Sequence, residues 1–131
     1  MKKLGDIYSL KLPNGQYIYG RILKEVGFAI YKEFGKEKYF IPKGEYLFIV
    51  SVYEEDLENE GWNYITNIPF NSEEESWPPK RKIYDTISGK YSIYHKGEIY
   101  PSNEEDCKGL ETASVWHTNQ IVDKILGKRK I

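Results

Sequence analysis

The sequence predicts a mostly β fold: a strongly bent antiparallel sheet or a small, partly open barrel, with a short C-terminal helix packed on it. Three observations carry this. The twelve tyrosines sit in segments rich in Ile, Val and Phe that alternate with polar residues, a composition suited to pleated, half-buried surfaces. Those segments are short and are separated by Gly, Pro and Asn. Only the extreme C-terminus changes to a helical period. At 131 residues, one domain spanning 1–131 is expected, long enough for a proper core and too short for two.

The elements follow in order. Residues 7–12 and 16–23 read as two strands around Pro13-Asn14-Gly15. Asn and Gly tolerate the positive φ that a tight turn between twisted strands requires, so this is a β-hairpin. Gly20 lies inside the second strand, where it weakens pairing, and so marks a bend, a bulge or a close backbone approach such as a barrel corner. Residues 28–34 form a third strand, closed by the charged turn 35–38. Residues 45–53, with Leu47-Phe48-Ile49-Val50 at their centre, form the most apolar run and should be a central strand buried on both faces. An acidic loop leads to a short strand at 62–65.

Residues 67–79 carry Pro69, Pro78 and Pro79 and mark an irregular excursion. Short strands are expected at 82–86, 91–95 and 98–100, with Ser88-Gly89 and Lys96-Gly97 as turns. Ser102-Asn103-Glu104-Glu105 has the capping-box form for a helical turn ending near Gly109. Residues 112–116 read as another strand. Thr118 then caps a last helix whose apolar stripe is Ile121, Val122, Ile125 and Leu126, ended by Gly127.

The formal charge of -1 hides a partition. Residues 1–50 carry nine bases and five acids, residues 51–79 carry eight acids and no base, and residues 80–131 carry ten bases and seven acids. No apolar run approaches the roughly 18 residues of a membrane span, and the N-terminus lacks a secretory pattern. A soluble, cytoplasmic protein is therefore expected, with no membrane partner. One cysteine and two histidines assemble no zinc or iron-sulfur signature, so no metal or cofactor is expected.

Catalytic constellations are also missing. His95 precedes a turn and His117 a helix start, positions that call for exposure or hydrogen bonding rather than proton transfer. Cys107 lies in a polar turn without the setting that activates a thiol. Asp6 and Asp85 form no evident pair, and no phosphate loop or nucleophile elbow occurs. The chain is read as a non-enzyme.

Two binding readings remain. Small barrels with aromatics and lysines often stack bases, and Lys80-Arg81-Lys82 and Lys128-Arg129-Lys130 would then touch phosphate. This nucleic-acid or small-ligand module is the alternative, disfavoured because it must hold the acidic segment away from a polyanion. The favoured reading places a protein partner on the acids themselves. Glu54, Glu55, Asp56, Glu58 and Glu60 on one side, and Glu73, Glu74, Glu75 and Trp77 on the other, flank the Trp62 strand. Hairpin-like closure would gather them on one side, where their field steers a basic partner and Trp77 offers an aromatic anchor.

A family resemblance agrees. Gly5-Asp6-Ile7-Tyr8, Leu12-Pro13-Asn14-Gly15-Gln16-Tyr17 and Tyr19-Gly20-Arg21-Ile22-Leu23 open the chain. In order follow Leu47-Phe48-Ile49-Val50-Ser51-Val52-Tyr53, Gly61-Trp62 with Ile65, Ile83-Tyr84-Asp85, Gly109-Leu110-Glu111 and Ala113-Ser114-Val115-Trp116. This ordered set resembles the Imm26 group of bacterial immunity proteins, associated with polymorphic toxin systems. The resemblance implies a mostly β protein that binds and neutralises a cognate toxin without catalysis, by stoichiometric occlusion; a basic nuclease would suit the acidic surface. It leaves self-association open. The family's recurring positions Gly5, Asp6, Gly20, Arg21, Trp62 and Trp116 look like fold-forming residues, so the 67–79 excursion is the better interface candidate.

Overall fold

The structure, a computed structural model, describes residues 2–127. In chain order it forms β1 (Asp6–Lys11), β2 (Tyr17–Ile22), β3 (Gly27–Tyr31), β4 (Tyr46–Val52), α1 (Glu54–Asn59), β5 (Asn63–Asn67), β6 (Arg81–Tyr84), β7 (Tyr91–His95), β8 (Glu98–Ser102), β9 (Val115–Trp116) and α2 (Thr118–Ile125). One sheet runs β5-β1-β2-β3-β4-β9, and a second runs β6-β7-β8. Pairing is antiparallel except between β4 and β9. The mostly β reading holds, with the short C-terminal helix in place. Neither sheet closes on itself, because β5 and β9 stay separate edges. Of the two forms expected, the open sheet is the one adopted.

The β1–β2 hairpin forms as the Asn-Gly turn requires. Gly15 takes φ +88°, and Asn14 Oδ1 accepts the Gln16 N–H at 3.0 Å. Gly20 proves to be a close approach rather than a barrel corner: a Cβ there would lie 2.3 Å from Cζ of Phe28. The Phe28 ring crosses β2 at this point and meets Trp62 edge-on, with centroids 5.0 Å apart.

The register Tyr8↔Gly20↔Ile30↔Phe48 puts Tyr8, Leu10, Ile18, Phe28, Ile30, Phe48 and Val50 on one face of the six-stranded sheet. These side chains join Leu57 of α1, Trp62 and Ile121 of α2 in a single core, with Val122, Ile125 and Leu126 packed against it. The apolar stripe of the last helix thus does what its spacing predicts. On the opposite face Ile7, Ser9, Tyr19 and Ala29 are also fully buried, under irregular chain rather than helices. Tyr19 donates to the carbonyl of Glu37 at 2.6 Å and packs on Phe40.

Several expectations are corrected. The strand buried on both faces is β3, all five residues of which are buried. In β4, Leu47 is 46% exposed, because its outer neighbour β9 is two residues long and reaches only Ser51 and Val52. Residues 54–59 are helix α1, not a loop: Glu54, Glu55 and Asp56 fill its first turn, where carboxylates complement the exposed N–H groups, and Leu57 anchors it. Asn103, not Ser102, holds the 103–109 turn by accepting the Asp106 N–H at 2.8 Å. The expected strand at 112–116 shrinks to Val115–Trp116, with Thr112 bridged separately to Lys82. Thr118 is buried and does not cap α2; its hydroxyl accepts from Trp62 Nε1 at 2.9 Å.

Candidate functional site

The excursion 67–79 is gripped along its length by the sheet beneath it. Asn67 donates to the carbonyl of Leu4 and to Asp6 Oδ1, each at 2.8 Å. The Ile68 N–H donates to the carbonyl of Gly5 at 3.0 Å. Gly5 takes φ +86°, and a Cβ there would run into the Ile68 carbonyl. Arg21, projecting from β2, donates to the carbonyls of Ile68 and Pro69 and to the hydroxyl of Tyr46. Its guanidinium lies 3.8 Å from the centre of the Phe70 ring, a stacking arrangement suited to that planar cation.

Further along, the Lys24 N–H donates to the Ser76 carbonyl at 2.8 Å, and its ammonium pairs with Glu73 at 2.7 Å and sits over Trp77. Lys96 pairs with Glu74 at 2.5 Å. Hydrogen bonds from these lysines, reinforced by their charge, hold the Glu73 and Glu74 carboxyls below the usual carboxylate range. Pro78 packs on Gly27 so closely that a Cβ there would lie 2.8 Å from Cγ of the proline.

Between this segment and the sheet lies a cleft of about 460 Å³. Arg21, Tyr46, Ile49, Phe70, Trp77 and His95 contribute to its walls, with Glu74 and Glu75 beside them. Two more clefts adjoin the β2–β3 turn. One, of about 300 Å³, includes Glu54 and Leu57; the other, of about 420 Å³, includes Phe70 and Glu73. Leu4 and Lys24 belong to both. Glu54 of the first acidic cluster and Glu73 of the second therefore border the same corner of the molecule.

The remaining expected site residues divide. Glu55, Glu58 and Glu60 are exposed on or just after α1, and Glu75 is exposed in the excursion. Glu75 accepts the Asn71 N–H at 3.2 Å. Asp56 turns inward instead: its Oδ2 accepts the Thr118 N–H at 2.7 Å, at the first turn of α2. Nδ1 of His117 lies 3.3 Å from the same oxygen, and its ring stacks on Tyr53 with centroids 4.2 Å apart. Cys107 is 1% exposed. Among the described residues, no three His, Cys, Asp or Glu side chains are grouped to hold a metal ion.

The first basic triplet is not a surface stripe. Arg81 is 4% exposed and donates to Ser51 Oγ at 2.6 Å, crossing from the small sheet to the large one. Burial lowers its pKa from the ordinary value, opposed by the negative charges of Glu25 and Glu111. The triplet 128–130 lies outside the described residues. Sequence reasoning missed the inward turn of Asp56 and the burial of Arg81, since both rest on partners distant in the chain. The acid-rich first turn was the available signal for α1.

Among the described residues, no helix is long and apolar enough to cross a membrane. No curated protein and no solved structure matches the chain. The family model for Immunity protein 26 matches residues 3–93, a span that contains the hairpin, the four central strands of the large sheet, and the excursion with its anchors Gly5, Asp6 and Arg21. The chain belongs to the Immunity protein 26 family.

Proposed function

We propose that this protein neutralises its cognate toxin by stoichiometric occlusion, without catalysis, and that the toxin docks on the surface shared by α1 and the 67–79 segment. The observation that carries the proposal is the charge on that surface. Seven of the eight acids in the base-free stretch are exposed. Among the described residues, only Glu73 and Glu74 of these seven find a base, leaving Glu54, Glu55, Glu58, Glu60 and Glu75 without an ion pair. Carboxylates gathered in this way repel one another and attract a basic partner. Beside them the cleft of Phe70, Trp77 and Tyr46 offers aromatic anchors of the kind that dominate interface energetics. Because the segment is already held by Arg21, Lys24 and Lys96, a partner would meet a formed surface and lose little to ordering it. A basic nuclease fits best, its substrate channel being built for a polyanion.

The test is co-expression with the toxin, scoring growth rescue and co-purification in a one-to-one complex. A combined Glu54→Lys, Glu55→Lys and Glu58→Lys variant should fold and lose protection, as should a variant replacing Glu73, Glu74, Glu75 and Trp77. Full protection by both variants would show that the toxin docks elsewhere. Loss of toxin at less than equimolar protein would point to turnover and overturn occlusion.

A further inference from the structure

Arg81 poses a question that the acidic surface does not answer. Among the described residues its side chain is, with that of Asp6, the most buried of the charged groups, yet it makes one hydrogen bond, to Ser51, its guanidinium lies 5.3 Å from the centre of the Tyr94 ring, and Nε has no hydrogen-bond partner. Among the described residues, no carboxylate forms an ion pair with it. Only the charges of Glu25 and Glu111, neither within ion-pair distance among the described residues, offset this cation, and a buried guanidinium with an unmet N–H is costly.

Arg81 borders a cleft of about 340 Å³ where β4, β6, β9 and α2 come together. Two more cations line it, Lys82 and Lys124, and neither is in an ion pair among the described residues. The Lys124 ammonium sits 4.9 Å above the Phe48 ring and 5.7 Å above that of Trp116. One carboxylate, Glu111, also lines the cleft, with the hydroxyl-bearing Thr112 and Ser114. Three cations against one acid leave a local excess of two positive charges. A phosphate monoester carries about -1.5 to -2 near neutral pH, and its three outer oxygens accept hydrogen bonds from several donors at once. The volume falls in the range of small-molecule sites, and Trp116 of β9 with Ile49 and Val50 of β4 gives the lining an apolar part.

We propose that this cleft binds a small phosphate-bearing molecule, the phosphate facing Arg81, Lys82 and Lys124 and the organic part lying against Trp116. Arginine and lysine divide the work: the guanidinium fixes direction, and the two ammoniums, on flexible stems, close on the phosphate from the solvent side. The cleft is built from both sheets and α2, so an occupant would also tie the small sheet to the large one.

The test is a nuclear magnetic resonance titration of the full chain with inorganic phosphate and, separately, with adenosine monophosphate, following the indole N–H signal of Trp116. Saturable movement of that signal with either compound is expected, and binding of the nucleotide alone would support the site while showing that the organic part is needed. Because Arg81→Met also removes the buried tie to Ser51 between the two sheets, the decisive variant is Lys82→Gln with Lys124→Gln, both partly exposed. It should keep the dispersed spectrum of the folded protein and weaken binding by about tenfold or more. No saturable movement with either compound, or equal binding by the lysine variant, would overturn the proposal.

Discussion

Asp56 lies among Glu54, Glu55 and Glu58 in sequence but does a different job. Its carboxylate takes the backbone N–H of Thr118, 62 residues away, and so caps α2 from a neighbouring helix. A capping carboxylate at a helix N-terminus satisfies a donor and complements the helix dipole. Asp56→Ala should therefore lower stability by about 1–2 kcal/mol, read as a shift in the urea midpoint, whereas Glu55→Ala on the exposed face should change it by less than about 0.5 kcal/mol. Equal effects would show that the Asp56 contact is incidental. The contrast also marks what one residue reveals in sequence. Gly15 could be read locally, because a tight turn imposes its conditions on its nearest neighbours; Gly20 was legible only as a bend, a bulge or a close approach, since the ring that crowds it, Phe28, comes from the next strand. Asp56 and Arg81 could not be read locally, since nothing near them in the chain distinguishes an inward carboxylate or guanidinium from an exposed one.

At the scale of elements, the excursion 67–79 shows the same limit. Its prolines announce irregular chain, and apart from Asn67 at the end of β5 and a single turn of 3-10 helix at Glu74–Ser76 it has no regular structure. That it is fastened down was illegible, because its anchors come from three separate stretches of the chain: Gly5, then Arg21, Lys24 and Gly27, then Lys96. Two kinds of fastening differ in their response to pH. Residues 68–70 are held by Arg21 on carbonyl oxygens and on a ring, none of which titrates. Residues 73–74 are held by carboxylates whose pKa values are depressed by Lys24 and Lys96. A depressed carboxyl stabilises its bridge fully above the ordinary value of 4.5 and loses it as pH falls through the lowered value. Acidification below that ordinary value should accordingly loosen the Glu73–Trp77 end first and make Trp77 more accessible to acrylamide quenching. Arg21→Met should free the 68–70 end at neutral pH. Unchanged quenching of Trp77 in acid, with the protein still folded, would mean that the two lysine bridges hold nothing in place.

For the molecule as a whole, the formal charge of -1 carries little information until it is divided among surfaces. The fold brings Glu54 of α1 and Glu73 of the excursion to clefts that adjoin the β2–β3 turn, while three cations line the cleft beside β9. An overall charge near zero exerts weak pull at long range, so any steering of a basic toxin must come from this local field. Such a field is screened over about 10 Å at 0.1 M salt, and it acts on encounter rather than on the packed complex. Raising the salt from about 0.05 M to about 0.5 M should thus slow association with the toxin severalfold while changing dissociation much less. Glu54→Lys with Glu58→Lys should reproduce the slowing at low salt and remove most of the salt dependence. Trp77→Ala should instead speed dissociation, because an aromatic anchor acts only once the surfaces have met. An association rate indifferent to both salt and charge reversal would mean that the acids are there for solubility, and the toxin would then have to be sought on a face where the carboxylates are already paired.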